Sequence, residues 1–390
     1  MHIILSDFDE TSRFYPLTLS RPIAELRFGI TTLKEKWNTL LKEGVFSYET
    51  AEHLTPYFSK ASENSAAIVI NATIVPSVEL TDCILELKAG QQLMWQNKCL
   101  AYVRPENFDG DPSHFEVIGF EGELLHLDHI TDLFSKLDKV LVRDFNDVAL
   151  GTSAELHPTC TVIGKHPVYL SKDASAFATI FNTEEGPIYI GAGAKIMEGS
   201  ILRGPLAIGD FSTVKMGAKI YGATSIGPHC KVGGELNNVS MLAYSNKGHE
   251  GFLGNSIIGQ WCNLGADTNT SNLKNDYGEV KLYDYSVGRF KATGLQFCGL
   301  VMGDHSKVGI NTMFNTGTVV GFNANIFGAG YPRNFIPSFT WGGPQGMSDY
   351  RLDKAMETAE KVLERRSIAF DEREKNLFVA IHELTTKSGF

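Results

Sequence analysis

Aliphatic residues recur at every sixth position in the middle of the chain, from residue 190 to residue 232. These positions are Ile190, Ile196, Leu202, Ile208, Val214, Ile220, Ile226 and Val232. A period of six matches neither the 3.6-residue repeat of a helix nor the two-residue alternation of an ordinary strand. An Ile-Gly pair also returns every 18 residues, so three hexads make one coil. The pattern predicts a triangular parallel β-solenoid, whose aliphatic residues point inward and stack on their equivalents one coil away.

The same ladder resumes further along the chain, after two long stretches that lack it. It continues at Ile258, Leu264, Met302, Val308, Phe314, Val320 and Ile326. The first gap contains the polar segment Tyr244–Gly254, which reads as an excursion from the stack, and the second contains the insertion Asn275–Phe297. Because loops held by a stiff scaffold are favourable places for catalytic groups, chemistry is expected at these gaps.

The regions on either side of the solenoid have different patterns. Residues 1–150 predict a mixed α/β domain, with buried strands at His2–Leu5 and Ala66–Asn71 and a helix near Thr31–Lys42. The solenoid is predicted over residues 155–337. Residues 345–390 form a tail with two amphipathic helical stretches, which predicts C-terminal α-helices.

Composition limits the class of partner. The 390 residues are 43% hydrophobic and carry a net charge of −10, which argues against nucleic acid as a ligand. No apolar run approaches the roughly 20 residues of a membrane helix, so no membrane partner is expected. The six cysteines contain no C-x-x-C pair, so the sequence indicates neither a zinc site nor a disulfide framework, and a cytoplasmic protein with reduced thiols is expected.

The loop after the first strand supports two interpretations. Asp7, Asp9 and Thr11 form a D-x-D-x-T pattern, in which a phosphatase uses the first carboxylate as nucleophile beside Mg²⁺. A second and longer pattern is formed by the segment Arg13–Thr18 together with Pro22. It resembles the G-x-G-T-R-L-x-P-L-T-x-x-x-P-K signature of sugar-1-phosphate nucleotidyltransferases, in which backbone N–H groups and cations hold the nucleotide phosphates.

This second resemblance implies a nucleotidyltransferase-like but divergent and truncated α/β domain. Arg13 and Arg21 would bind the nucleotide. However, Asp9 and Glu10 replace glycines of the signature, and Ile23 replaces its lysine. Acidic residues repel phosphate, so the nucleotide site is either rebuilt or inactive.

The metal ligand of that family is also replaced. The strand ending in Asn71 resembles the family strand that ends in N-G-D, and Thr73 stands where the family's Mg²⁺-binding aspartate would be. The metal-binding residues are therefore unknown from the sequence. Mg²⁺ is expected as a cofactor only if the domain transfers nucleotides.

The segment around His249 combines an imidazole, a cation and several glycines. Histidine titrates near neutral pH and can remove a proton from an amine or hydroxyl nucleophile. From Gly248 to Asn275 the chain reads G-H-E-G-F-L-G-N-S-I-I-G-Q-W-C-N-L-G-A-D-T-N-T-S-N-L-K-N. This stretch resembles, without a gap, the G-H-x-x-Y-L-G-D-x-x-I-G-x-x-x-N-I-G-A-G-T-x-x-x-N-Y-D-G pattern of the bifunctional N-acetylglucosamine-1-phosphate uridyltransferase/glucosamine-1-phosphate acetyltransferase family.

The resemblance implies a left-handed parallel β-helix of hexapeptide repeats, assembled as a cytoplasmic homotrimer, and a role for each matching residue. His249 would be the general base that deprotonates the sugar amine. Asn272 would hold amine and base in line, and Asn263 would bind the sugar near its amine. Ala266 would lie along acetyl-CoA, and Phe252 replaces a tyrosine that contacts the phosphate. An acceptor phosphate also needs cations, and the candidates are Arg203, Lys215, Lys231, Lys247 and Lys274.

Three functional hypotheses follow. In the first, the chain acetylates an amino-sugar 1-phosphate with acetyl-CoA, and its N-terminal domain can convert the product to UDP-N-acetylglucosamine with UTP. In the second, the main activity is uridylyl or thymidylyl transfer to a sugar 1-phosphate, and the β-helix serves assembly. In the third, the protein binds sugar nucleotides without catalysis. Intact His249 favours the first, while the replacements at Ile23 and Thr73 disfavour the second.

Overall fold

The computed structural model describes residues 1–59, 65–147 and 152–389. The chain divides into two compact units. Unit 1 contains Met1–Phe14, Ser20–Leu26 and Thr31–His129, and unit 2 contains Tyr15–Leu19, Arg27–Ile30 and Ile130–Phe390. Residues 130–147 therefore group with unit 2. The division into domains 1–150, 155–337 and 345–390 stays a proposal.

Unit 1 is built on a six-stranded mixed sheet. Its elements are β1 (His2–Ser6), α1 (Leu33–Leu40), β2 (Val45–Glu49), β3 (Ala67–Asn71), α2 (Val78–Leu85), β4 (Gln91–Trp95), β5 (Lys98–Arg104) and β6 (Glu116–Gly119). The strand order in the sheet is β2-β1-β3-β5-β4-β6. Strand β1 lies parallel to β2 and β3, and its residues Ile3, Ile4 and Leu5 are fully buried, as expected for a strand covered on both faces. Helix α1 begins with a capping box between Thr32 and Glu35.

Unit 2 is a parallel β-solenoid of about 10 turns, preceded by two short helices, α3 (Asp132–Ser135) and α4 (Leu137–Asp147). Each full turn has three sides, which we name A, B and C in chain order. Side A carries β8 (Val168–Leu170), β11 (Ile188–Ile190), β14 (Leu206–Ile208), β17 (Thr224–Ile226), β26 (Leu300–Met302), β29 (Thr318–Val320) and β31 (Phe335–Ile336).

Side B carries β9 (Ser175–Ala176), β12 (Lys195–Ile196), β15 (Thr213–Val214), β18 (Lys231–Val232), β20 (Asn246–Lys247), β22 (Asn263–Leu264), β27 (Lys307–Val308), β30 (Asn325–Ile326) and β32 (Thr340–Gly343). Side C carries β7 (Thr161–Gly164), β10 (Ile180–Thr183), β13 (Ile201–Arg203), β16 (Lys219–Tyr221), β23 (Asn269–Thr270) and β28 (Met313–Phe314). Two longer strands, β19 (Glu235–Met241) and β21 (Phe252–Ile258), run from side C onto side A.

The aliphatic ladder does form the interior. Ile190, Ile208 and Ile226 stack along side A through the pairs β11–β14 and β14–β17, and all three are buried. The first gap in the ladder, however, is wrongly predicted as an excursion. The chain keeps coiling through it, with Met241, Lys247 and Leu253 in successive inward positions. The pattern was hidden because Leu236 follows Val232 by only four residues and because a lysine occupies an inward position.

The second gap is a true insertion. It forms an antiparallel hairpin of β24 (Lys281–Asp284) and β25 (Arg289–Ala292). The ring of Tyr283 stacks on Phe335 at a centroid distance of 3.6 Å, which places the hairpin on side A of the later coils.

The C-terminal tail packs on the corner between sides A and B. It contains β33 (Gly346–Asp349), which pairs antiparallel with β32, then α5 (Leu352–Glu364) and α6 (Glu372–Ser388). Phe378 of α6 contacts the rings of His305 and Phe322, with centroid distances of 4.9 and 5.0 Å. None of the described helices is both long and apolar enough to cross a bilayer.

Candidate functional site

His249 lies at the corner between sides B and C, in the turn that follows β20. Its side chain is exposed, and no hydrogen bond joins its imidazole to another residue of the described chain. The backbone beneath the ring is held by neighbouring coils, because the Asp267 N–H donates to the Glu250 carbonyl at 3.0 Å. The imidazole is therefore reachable from solvent while its attachment point belongs to a hydrogen-bonded stack.

Ala266 occupies the same corner one coil later. The register Asn246↔Asn263 between β20 and β22, continued by three residues, sets His249 beside Ala266, and adjacent strands lie about 4.8 Å apart. The Ala266 carbonyl accepts from the Asn311 N–H at 2.8 Å. Asn263 is exposed on the outer face of side B. The structure thus brings Ala266 next to His249 and places Asn263 on the adjoining side.

Asn272 and Phe252 meet on the outer face of side C. A Cβ atom added to Gly254 would lie 2.6 Å from the Phe252 ring and 2.7 Å from Asn272 Nδ2, so both groups lie over this bare glycine. The Phe252 N–H donates to Asn269 Oδ1 at 2.8 Å. His249 stands at one corner of side C and Asn272 at the other, so the candidate site extends across this side.

Asn272 ends a row of three asparagines at equivalent positions of successive coils. Asn272 Nδ2 donates to Asn255 Oδ1 at 2.7 Å. With the Asn238 amide oriented to satisfy both of its polar atoms, Asn255 Nδ2 donates to it at 3.0 Å, and its own nitrogen donates to the Phe134 and Ala223 carbonyls at 2.9 Å each. The prediction from sequence missed Asn238 and Asn255, although the 17-residue spacing of the three asparagines is visible in the chain.

A cavity of about 430 Å³ opens beside this row. It is lined by Phe134, Ser135, Asp138, Gly222, Ala223, Asn237, Asn238, Asn255 and Phe297. His249 and Asn272 do not line it, so the cavity adjoins the candidate site through the asparagine row only.

The predicted phosphate-binding cations are dispersed. Arg203 lies on side C but pairs with Glu185 at 2.9 Å and Glu184 at 3.6 Å. It stands three strands before β21, roughly 14 Å away at the usual strand spacing. Lys274 follows Asn272 closely in the chain, and its ammonium donates to the Glu279 carbonyl at 2.5 Å. Of these two cations, only Lys274 lies near Asn272.

Lys231 and Lys215 belong to coils that precede His249. Lys231 stands on the outer face of side B, two coils before Asn263 in the same register, and the Lys215 Cβ atom lies 3.0 Å from where a Cβ of Gly233 would be. Lys231 is exposed on side B, and its pKa is lowered by partial burial and by the charges of Arg366, Lys215 and Arg365. A further cation, which the sequence did not single out, also lies near the His249 corner. Lys219, exposed on side C, is 3.8 Å from the carboxylate of Glu250.

Lys247 does not fit its predicted role in binding substrate. Its side chain is only 1% exposed and fills the inward position of side B. Its ammonium donates to the Gly233 carbonyl at 3.0 Å and to the His249 carbonyl at 2.6 Å. Burial lowers its pKa to about 8, against the opposing charges of Glu250 and Asp267. An ammonium inside the solenoid cannot contact a phosphate bound outside it.

In unit 1, two loops meet at one edge of the sheet. Strand β1 has β2 on one side and β3 on the other, and the carboxyl ends of parallel strands at such a switch point are the usual place for a ligand. Asp7 follows β1 and is 1% exposed. It accepts hydrogen bonds from Thr50, Thr11 and the Ile23 N–H at 2.6, 3.0 and 3.0 Å.

These contacts rule out the phosphatase interpretation of Asp7. Burial raises its pKa to about 6, which the three hydrogen bonds partly counteract. A carboxylate enclosed by protein donors cannot reach a phosphoryl group as a nucleophile. Asp7 therefore holds the loop to β2 and to the segment at Ile23.

The other residues of the nucleotidyltransferase signature are engaged within the protein. Arg13 pairs with Glu10 at 2.8 Å and donates to the Asp128 carbonyl at 2.5 Å. Arg21 is 6% exposed and donates to the Ser20 hydroxyl at 3.2 Å. Thr73 is buried, and its N–H and hydroxyl donate to Asn71 Oδ1 at 3.0 and 2.6 Å.

The residues of this edge do not fit the Mg²⁺ site of the signature. A buried threonine hydroxyl that donates to an asparagine replaces the carboxylate, and carboxylates are the ligands that Mg²⁺ prefers. Among the described residues, no group of three or more His, Cys, Asp or Glu side chains is arranged to hold a metal ion.

Comparison with known families covers both parts of the chain. Residues 3–153 match the family model described as sugar nucleotidyl transferase. The chain is 37% identical over 78 residues to the bifunctional protein GlmU of Methanocaldococcus jannaschii, covering 20% of this chain and 18% of the relative. It is 32% identical over 123 residues to GlmU of Methanococcus vannielii, covering 32% and 27%. The matches thus span less than a third of the length of these relatives.

Further matches lie among acyltransferases. An uncharacterized acetyltransferase, YaiX of Escherichia coli O6:K15:H31, is 26% identical over 164 residues, covering 42% of this chain and 70% of the relative. Among solved structures, the polysialic-acid acetyltransferase NeuO matches with a TM-score of 0.30 and 13% identity over 54% of this chain and 99% of its own. Arabidopsis UDP-N-acetylglucosamine acyltransferase matches with a TM-score of 0.25 and 14% identity, over 60% and 97%. Scores this low support no further inference.

Fold and matches together define a transferase, in which an α/β unit that matches the sugar nucleotidyl transferase model is followed by a left-handed parallel β-helix and C-terminal helices. Within that class the chain is similar to bifunctional GlmU. The predicted fold class and the predicted resemblance are confirmed. The roles of the individual site residues, the homotrimer and the cytoplasmic location stay predictions.

Proposed function

We propose that the β-helix transfers an acetyl group from acetyl-CoA to the amine of an amino-sugar 1-phosphate, a step that leads to a sugar nucleotide such as UDP-N-acetylglucosamine. The observation that carries this proposal is the arrangement on side C. An exposed imidazole, His249, stands at one corner beside Ala266, and Asn272 lies over bare Gly254 at the other.

In the proposed reaction, His249 takes a proton from the sugar amine as the nitrogen attacks the thioester carbonyl. The C–N bond forms, the C–S bond breaks, and the proton returns from the imidazole to the leaving thiolate. The products are the N-acetylated sugar phosphate and free CoA. Asn272, held by Asn255 at 2.7 Å, would orient the amine, since a fixed amide dipole costs no reorganisation during reaction.

The acceptor pocket differs from the family pattern at two places. Phe252 offers an aromatic face over Gly254 and no hydroxyl for a phosphate. We assign the phosphate to Lys219, which lies on side C in a coil before Phe252, and to Lys274, which follows Asn272. These two cations take the place of Lys247, Arg203 and Lys231. CoA would pass along the corner that contains Ala266.

The test is release of free thiol from acetyl-CoA with glucosamine 1-phosphate as acceptor. We expect turnover in the usual enzymatic range of about 1–10³ s⁻¹. Glucose 1-phosphate, which has the same phosphate and no amine, is the matched control and should release thiol at the background rate only. Equal release with the two sugars would contradict the proposal.

Nucleotidyl transfer by unit 1 is the second candidate function, and the family match over residues 3–153 is what favours it. Because Thr73 replaces the metal ligand and Arg13 is paired with Glu10, we expect no pyrophosphate from UTP or dTTP with a sugar 1-phosphate and Mg²⁺. A sensitive pyrophosphate assay measures this. Mg²⁺-dependent release would assign the second function to unit 1 and would show that its nucleotide site has been rebuilt.

A further inference from the structure

Lys247 is a charged residue in the row of inward-pointing side chains on side B, between two aliphatic residues. Its partner in β18 is Val232, and the register of β20 with β22 sets Leu264 in the following coil. Val232, Lys247 and Leu264 are all at most 2% exposed. An ammonium among aliphatic side chains loses its hydration, so it opposes folding unless specific acceptors compensate. The Lys247 ammonium is therefore expected to have a function that an aliphatic side chain at this position could not perform.

The acceptors that compensate Lys247 belong to the His249 corner. Its Nζ atom lies 2.6 Å from the carbonyl oxygen of His249 and 3.0 Å from that of Gly233, one coil earlier. The ammonium therefore ties the backbone of His249 to the preceding coil from inside the solenoid.

The backbone at the His249 corner is rich in glycine. Four glycines surround His249 in the two coils concerned: Gly233, Gly234, Gly248 and Gly251. Gly234 and Gly251 have φ values of 73° and 116°, which disfavour other residues. Glycine leaves the backbone more conformational freedom than any other residue, so a corner rich in it holds a side chain less firmly.

We propose that Lys247 is a positioning residue, which from the interior of the β-helix fixes the backbone that carries the His249 imidazole. This inference rests on the proposed acetyl transfer for its catalytic consequence, and on the two carbonyl contacts for its structural part. Lys247 touches neither substrate nor CoA in this assignment.

If Lys247 is a positioning residue, replacing it by an apolar residue should lower the rate of acetyl transfer without lowering the stability of the fold. Replacing a buried charged group by an apolar side chain of similar volume is often neutral or stabilising. Lys247→Met fills the ladder position with an apolar chain and removes the tie. Leu264→Met, one coil away on the same side, introduces the same side chain and keeps Lys247, so it is the matched control.

We expect Lys247→Met to unfold at a temperature no lower than the wild type, with an unchanged mass by light scattering. Its kcat for acetyl transfer should fall by about 10²-fold, the effect of a misplacement of about 1 Å, while KM for acetyl-CoA stays within about twofold. Lys247→Gln keeps two N–H donors and should recover part of kcat. Leu264→Met should keep the wild-type kcat.

Amide hydrogen exchange measures how firmly the backbone of the His249 corner is held, and it does not depend on catalytic activity. The amides of Asp267 and Glu235 donate to the carbonyls of Glu250 and Gly251 at the corner, and both should exchange faster in Lys247→Met than in Leu264→Met. If exchange and kcat both stay at wild-type values in Lys247→Met, the inference is overturned. If the wild type transfers no acetyl group but exchange rises in this variant, the proposed function fails and the positioning role stands.

Discussion

Replacing His249 by alanine is expected to lower the rate constant of acetyl transfer by about 10²–10⁴-fold, the contribution of a general base to such a step. The neutral sugar amine must lose a proton as its nitrogen attacks the thioester, and the exposed imidazole at the corner of sides B and C is the group we assign to remove it. The fold should be unaffected, because the ring packs at the surface and makes no hydrogen bond to the described chain.

Free thiol released from acetyl-CoA in the presence of glucosamine 1-phosphate measures this effect. His166→Ala is the matched control, since it removes another exposed imidazole from the early coils and leaves the corner intact. We expect His166→Ala to keep the wild-type rate. Wild type and His249→Ala releasing thiol at the same rate would remove His249 from the mechanism and, with it, the main support for acetyl transfer.

Replacing Gly227 by alanine is expected to destabilise the solenoid by more than about 4 kcal/mol, in the range of the most damaging single substitutions. A Cβ atom at residue 227 would lie 1.3 Å from the Leu242 carbonyl oxygen of the next coil. The obstacle is backbone, and the coil that contains it is hydrogen-bonded to its neighbour: the Gly227 N–H donates to the Met241 carbonyl at 2.8 Å. Neither side can move without breaking the ladder.

Urea unfolding, followed by circular dichroism, measures the loss of stability. Gly248→Ala is the control, because a Cβ atom there would meet no atom within 4 Å and its φ is not positive. We expect Gly248→Ala to unfold within about 1 kcal/mol of the wild type, the usual size of a Gly-to-Ala effect at a compatible site. A Gly227→Ala protein with an unchanged urea midpoint would mean that the coils can separate locally without loss of stability.

The Ile-Gly repeat shows why the solenoid was predictable. Each coil places an aliphatic side chain in the interior and brings the backbone of the next coil against the following residue, so both requirements recur along the chain. Local constraints that repeat in every coil produce a repeat in the sequence, which can be recognised without a structure. The helices at Leu33–Leu40 and Leu352–Glu364 were predictable for a similar reason, since their apolar stripes follow the helical period.

The first gap in the ladder shows where prediction from spacing failed. A hexad shortened between Val232 and Leu236 and a lysine at an inward position made a regular turn look like a loop. Cations were equally hard to place. Lys247 and Lys219 are both lysines in solenoid strands, but one points inward and the other outward, and a shift of one residue along a strand reverses this direction.

By itself the sequence determined the coiling of the solenoid and the α/β character of the chain before it, because both depend on residue period and on motifs that are contiguous in the chain. Only the tertiary structure decided which side chains share a surface. It enclosed Lys247 and Asp7, paired Arg203 and Arg13 with acidic neighbours, and joined Asn238, Asn255 and Asn272 in one row. These outcomes depend on contacts between coils and strands that are distant in the chain, where burial and hydrogen bonding, rather than residue type, set the chemistry of a side chain.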